Sequence, residues 1–300
     1  MIKQISQYAL LSIGLVTVPA IAKTQVITLG TGTPVTTPER VGSSTAVVYN
    51  DKAYLFDIGP GVVHRTIQAA ANGFPQLAPT KIEHLFITHL HSDHILDYAE
   101  LASTLWWRRD NQISAYGPKG IQSLTDGYYQ MLQVDLDLRI NGSQPVQSPE
   151  LYKVKVNEYE QGGWVFKDGD VTIEAFDVPH GDIKPAFGYK ITTPDKTIVI
   201  SGDTGYSEKL IEMAQGVDIL VHEVINDEAL KKVSPAWQNY HSHAHTPATE
   251  LAKVANATKP KLLVLTHLLY YAEPVQSTSE QVREHYDGKV VLANDLDVFE

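Results

Sequence analysis

Between Ile82 and His94 the chain reads IEHLFITHLHSDH, and its last six residues hold three histidines and an aspartate: His89, His91, Asp93 and His94. Imidazole nitrogen and carboxylate oxygen are ligand types for divalent ions. If Ile82 to Thr88 is a buried strand, its two-residue alternation runs on into the loop. It then turns His89, His91 and Asp93 one way, and His94 another as a helix begins. Such a loop can give His89 and His91 to one ion and Asp93 with His94 to a second ion close by, which is what a dinuclear site needs.

Three more residues fall in matching settings downstream. His180 follows the strand predicted over 171–178, Asp203 sits in Ser201-Gly202-Asp203-Thr204 just after Thr197 to Ile200, and His267 ends Leu262 to Thr266. All lie at carboxyl ends of predicted strands, and with the loop they complete a two-metal ligand set. The chain has twelve histidines and no cysteine. Thiolate ligands and cysteine nucleophiles are therefore excluded, and the lack of thiols suits an oxidising compartment. His64, His84 and His285 read as surface or helix residues. A structural zinc usually closes its shell with four protein ligands, often cysteines; seven ligands without cysteine point to catalysis.

The elements that must position these residues follow a two-round pattern. Strands are predicted at 25–29, 45–49, 53–56 and 113–116 around the opening motif, with helices to about Asn72, from Ile95 to Trp107 and from Pro118. Asp57, at a strand end, reads as a partner behind the metal ligands rather than a helix cap. Residues 134–150 lack periodicity and read as a loop. Strands at 151–160, 171–178, 186–192, 197–201, 218–222 and 261–266 then mix with helices at 207–215, 227–232, 247–257 and 278–286. Two packed sheets with helices outside both would use every apolar run, an α/β layered fold in one domain over residues 23–300.

Residues 1–22 are read separately. Lys3, the uncharged apolar run Tyr8 to Val18 and the small-residue pattern Ala20-Ile21-Ala22 form a signal peptide, too short to span a membrane comfortably. The expected mature chain begins near Lys23 and is periplasmic or secreted, with no stable membrane span. The full sequence carries a formal net charge of -11, and losing Lys3 with residues 1–22 makes it -12, so nucleic acid is an unexpected partner in bulk electrostatic terms. The sequence leaves the oligomeric state open, a homodimer being one option.

THLHSDH, His180, SGDT and THL, together with TLGTGTP, FDIGPG, AYGPKG and the HEV at 222–224, resemble the metallo-β-lactamase fold hydrolases, in their ribonuclease Z and arylsulfatase-like branch. The resemblance spans residues 24–292. It implies a four-layer αββα sandwich with two Zn2+ at one edge between the sheets, Mn2+ or Fe2+ suiting the same ligands. It further implies that His89, His91 and His180 bind one ion, Asp93, His94 and His267 the other, and that Asp203 bridges them. A water between the ions is then the expected nucleophile, with Asp93 also handling its proton. In this branch a histidine upstream of the last ligand acts as general acid, held by the glutamate of the HE motif. That implies His245, with Glu223 behind it, and a near-neutral pKa for the task. His243 is the fallback, and His241 and His243 otherwise read as a solvated loop.

The expected reaction is hydrolysis of a small anionic ester by metal-hydroxide attack, a sulfate ester of arylsulfatase type first. The alternative is a phosphodiesterase or a ribonuclease Z-like tRNA 3'-processing endonuclease, with lactonase or β-lactamase activity behind both. Against the RNA reading stand the mixed charge of 134–170, where a basic glycine-rich arm is expected, and Leu268-Leu269-Tyr270-Tyr271 after the last ligand. Leu268, Tyr270 or Trp107 would receive an apolar part of the substrate.

Overall fold

The computed structural model describes residues 23–35 and 37–300, so the predicted signal peptide lies outside the described residues. The first round of elements is β1 (Gln25–Gly30), β2 (Ser44–Tyr49), β3 (Lys52–Phe56), α1 (Val62–Ala71), β4 (His84–Phe86), α2 (Ser92–Ile95), α3 (Tyr98–Ser103), β5 (Ser114–Pro118), α4 (Ile121–Asn141) and β6 (Lys155–Tyr159). The second opens with β7 (Gly163–Asp168), β8 (Val171–Asp177), β9 (Phe187–Thr192), β10 (Thr197–Ile200) and α5 (Glu208–Met213). It continues through β11 (Ile219–Ile225), α6 (Asp227–Lys232), α7 (Pro235–Ala244), α8 (Ala248–Thr258), β12 (Leu262–Leu269), α9 (Val275–Arg283), β13 (Val290–Leu292) and β14 (Asp297–Phe299).

These strands form two seven-stranded sheets, ordered β14-β1-β2-β3-β4-β5-β6 and β13-β12-β11-β10-β9-β8-β7. In the first sheet β3 through β6 run parallel; in the second β10 through β13 do. Parallel strands bring their carboxyl ends to a common edge, where α/β folds bind ligands.

Side-chain alternation along each strand sorts the apolar residues into three layers. Val26, Tyr54, Phe56 and Phe86 of the first sheet meet Ile173, Tyr189, Ile200 and Val221 of the second between the sheets. Ile27, Leu55 and Leu85 face outward onto Val62, Val63, Leu101 and Ile121 of the first helical layer. Leu220, Leu263 and Leu265 face Leu210, Leu251 and Val282 of the other. The result is the expected four-layer αββα sandwich. No helix among the described residues is long and apolar enough to cross a membrane.

The local expectations differ in five places. The predicted helix 95–107 is broken: α2 ends at Ile95, α3 covers Tyr98–Ser103, and a 3-10 turn at Trp106–Arg108 follows Leu105, whose positive φ of 48° separates it from α3. Residues 134–141, read as loop, finish α4, a helix whose exposed face carries Met131, Val134 and Leu138 and so hides its period. β7 lies between two predicted turns, as an edge strand of mixed exposure. α7 fills what read as a loop around His241 and His243. His84, read as a surface or helix residue, is half-buried on β4, where its ring stacks on Tyr54 and tilts against Phe166. The TLGTGTP turn approaches its own chain, since a Cβ on Gly30 would stand 1.8 Å from the Gly42 carbonyl oxygen.

Candidate metal centre

Every carboxyl-end residue singled out above arrives at one edge. The loop after β4 carries His89 and His91, and α2 begins at once, with Asp93 and His94 in its first turn. His180 leaves β8, Asp203 leaves β10, and Glu223 and His267 sit within β11 and β12. His267 is the extra residue of a β-bulge: Glu223 pairs with Thr266 and Val224 with Leu268, leaving His267 opposite nothing, at a φ of 44°. Such a bulge re-aims a side chain, here toward Asp93.

Two clusters result, His89 with His91, His180 and Asp203, and Asp93 with His94, Asp203 and His267; within each, the donor atoms all lie within 4.8 Å of one another. In the first, His91 Nδ1 stands 3.0 Å from His89 Nε2 and 3.1 Å from His180 Nε2. Nitrogens at zinc distance in a tetrahedral shell stand ~3.3 Å apart, close to this spacing. In the second, His267 Nε2 is 3.0 Å from Asp93 Oδ2. Asp203 joins the two, its carboxylate 3.9 Å from His89 and from His180, and 3.4 Å from His94 and from His267.

The outward nitrogens are held as metal-binding imidazoles require. His180 Nδ1 donates to the Ala244 carbonyl at 2.7 Å, and His94 Nδ1 donates to Asp57 at 2.8 Å. Asp57, itself at a φ of 64°, also accepts from the Thr88 amide and hydroxyl at 2.8 Å each, so it fixes the start of the ligand loop as well as one ligand. The helix after it is capped by Gly61, so Asp57 acts behind the ligands, as expected. Gly202 allows the last approach: with φ at 61°, a Cβ there would stand 2.7 Å from the Phe187 carbonyl oxygen and 3.0 Å from Thr88 Cβ.

The electrostatics fit divalent ions. Burial, reinforced by neighbouring imidazoles, pushes His89 well below its ordinary value and His91 lower, and burial lowers His180. These shifts favour the neutral imidazole, the form that can bind a metal ion. Asp203 is held well below the carboxylate range: burial opposes this, but His267 and His94 outweigh it. For His94 burial is likewise outweighed, by Asp203 and Asp57, which raise it. His94 Nε2 is buried without a hydrogen-bond partner among the described residues, a costly state for a polar atom unless it serves as a ligand. Carboxylate oxygens and imidazole nitrogens converging around such an orphaned atom fit two divalent ions, whose charge would take the place of the proton that Asp203 and Asp57 favour on His94.

Glu223 and His245 adjoin the clusters. Glu223 Oε1 accepts from the amides of Thr246 at 2.8 Å and Thr204 at 3.4 Å, while Oε2 faces His245 Nδ1 across 3.5 Å. His245 stacks on His267, centroids 5.7 Å apart. Burial pushes His245 down to about 4, against the near-neutral expectation, and burial with Asp203 pushes Glu223 well up. Both shifts disfavour charge, Glu223 toward the carboxylic acid and His245 toward the neutral ring, and neither Glu223 Oε2 nor His245 Nδ1 has a hydrogen-bond partner among the described residues.

The fallback and the substrate-facing choices come out differently. His243 is exposed and turns Nδ1 to Asn239 of its own helix at 2.7 Å. His241 is buried, with Nε2 2.5 Å from the Tyr271 hydroxyl. His222 is also buried, turned to the Glu223 carbonyl. Leu268 is core, Tyr270 packs against that core, and Trp107 lies under Arg139 of α4. Trp237, Tyr240 and Tyr271 gather around His241 and were not singled out from the sequence; for the first two the signal was Ser234-Pro235 as a helix start, which puts Trp237, Tyr240 and His241 on one face.

Comparison with known proteins gives the family and the fold. The family described as beta-lactamase superfamily domain matches residues 52–268. A ribonuclease Z of Mycobacterium bovis is 30% identical over 280 residues, covering 91% of this chain and 96% of the relative. Among solved structures, the metallo-beta-lactamase fold protein YhfI of Bacillus subtilis superposes with a TM-score of 0.69 at 17% identity, over 92% of this chain and 98% of that one. The short form of human tRNase Z gives 0.67 at 23%, over 92% and 98%.

Proposed function

The chain belongs to the beta-lactamase superfamily as a metal-dependent hydrolase of ester bonds, and from that premise we propose that it is a dinuclear phosphodiesterase of ribonuclease Z type, cleaving phosphodiester bonds in RNA. The carrying observation is Asp203, whose single carboxylate serves both ligand clusters. The sulfate ester expected first finds no support among the relatives, whereas the phosphodiester alternative does. The same relatives, ribonucleases by name, conflict with the expectation that nucleic acid is not a partner. Export, read from residues 1–22, stays part of the proposal.

His89, His91 and His180 would hold one ion and Asp93, His94 and His267 the other, with Asp203 between them. Two divalent ions there supply the charge that polarises a phosphoryl oxygen and lowers the pKa of an attacking water. The chain does the rest. Asp57 and the Ala244 carbonyl keep His94 and His180 aimed inward. Asp93, bonded to His267, sits where it can take a proton from that water, and the Glu223–His245 pair holds a proton beside the clusters for the departing oxygen.

The test is metal analysis followed by a panel of bis-aryl phosphate, aryl sulfate, lactone, cephalosporin and an RNA with a 3' extension. Two ions per chain with fastest turnover of the phosphodiesters is expected. Faster turnover of the aryl sulfate, or none of any ester at full metal content, would overturn the reading.

A further inference from the structure

Beyond the ligands, a chain of rings leads out of the site along α7. His267 stacks on His245, His245 lies 5.5 Å from His241, and His241 lies 5.4 Å from Trp237 at an interplanar angle of 23°. Tyr240 meets both Trp237 and His241 edge-on, at 5.5 and 5.2 Å. Tyr271, just past the bulge that carries His267, bonds His241 from the other side. The outermost rings are open to solvent: Trp237 is 55% exposed, Tyr271 49% and Tyr240 39%. His241, at the centre of the group, is only 5% exposed, and its Nδ1 has no partner among the described residues.

Large aromatic side chains bury well and are rarely left open in a group without a partner. The exposed apolar side chains of α4 offer a contrast, since they lie on the outer face of the other sheet's helical layer and include no aromatic ring. Here three open rings surround the buried ring of His241, which lies one ring contact from His245 and whose Nδ1 is unpartnered among the described residues.

We propose that Trp237, Tyr240 and Tyr271 form a stacking subsite for a planar aromatic group attached to the scissile ester, with His241 as the polar contact at its floor. The proposal rests on the phosphodiester reading of the metal centre and names the group next to the bond. Two sources share this chemistry, a nucleobase and an aryl ring.

Calorimetric titration of the metal-loaded protein with AMP, ribose 5-phosphate, phenyl phosphate and methyl phosphate tests it without turnover. A ring-bearing ligand is expected to bind more tightly than its ring-free counterpart by roughly 5- to 150-fold, the range for one stacked base. Trp237→Ala should abolish that advantage, Trp237→Phe should keep most of it, and metal content should not change. A larger advantage for AMP assigns the ring to a nucleobase, and one for phenyl phosphate assigns it to an aryl ester; either supports the subsite. In steady state, Trp237→Ala should raise KM for a bis-aryl phosphate with kcat nearly constant, leaving an alkyl aryl ester whose alkyl side replaces the second ring less affected. Equal binding of ring-bearing and ring-free ligands by the unaltered protein, or equal weakening of both in Trp237→Ala, overturns the proposal. Failure of the phosphodiester reading appears separately, as no turnover of the bis-aryl phosphate at full metal content.

Discussion

At the scale of single residues, the site is a set of imidazoles aimed by what lies behind them. Asp57→Asn keeps the shape of the side chain but weakens its hold on His94 and on the Thr88 amide and hydroxyl. Loss of such a partner typically costs 10–100-fold in metal affinity, and chelator competition should show a fall of that order, with the fold intact by circular dichroism. His245→Ala should lower kcat on phosphodiesters by about 10²–10⁴, the usual worth of a positioned proton donor, while His243→Ala, bonded only to its own helix, should leave kcat within twofold. The seven candidate ligands, which the structure gathers at one edge, were legible because each lies in a short motif directly after an apolar strand. Asp57 was half legible, since a strand-end acid can also cap a helix. The titration of His245 was not legible, because burial by α7 and the stack on His267 appear only once distant segments meet.

At the scale of elements, the same limit explains α7. Its sequence PAWQNYHSHA is polar and aromatic with few aliphatic residues, and only Ala244 and His241 are buried, so the helical period hardly registers; the packing that selects the helix comes from His245 and Tyr271. The approach of β10's turn to the ligand loop depends on Gly202. Gly202→Ala should cost about 1–3 kcal/mol for a strained backbone, more if Phe187 must move, and should lower metal content in step, read from urea unfolding and metal analysis of the same sample. His84 on β4 sits in an aromatic stack, where burial holds it below its ordinary value of 6.5. The unfolded chain therefore takes up this proton at higher pH than the folded one. The contribution of neutral His84 is complete above about 6.5 and is lost progressively as pH falls from there toward the lower value of the folded state. His84→Phe should flatten the acid side of the stability curve below pH 6.5, seen as a urea midpoint that falls less between pH 7 and 5.5.

At the scale of the whole molecule, the layered sandwich was legible because strand alternation and alternating elements survive in the sequence, and the order of strands was not, because β14 leaves the second half to pair with β1 in the first sheet. The acidic body makes a prediction about RNA. With a net charge of -11, few phosphates are expected to be neutralised beyond the metal centre. A plot of log kcat/KM on a short RNA against log salt should then slope more gently than -2, since each neutralised phosphate of a single strand contributes about -0.7. The bulge at His267 has its own consequence. To the sheet this residue is surplus, since every other pair of β11 and β12 keeps its partner without it. Deleting its codon should close the ladder into regular pairing and yield a folded protein, no less stable, that has lost one ligand. That variant keeps the architecture and removes one donor of the second cluster, so metal analysis beside turnover would tell whether hydrolysis needs that cluster filled.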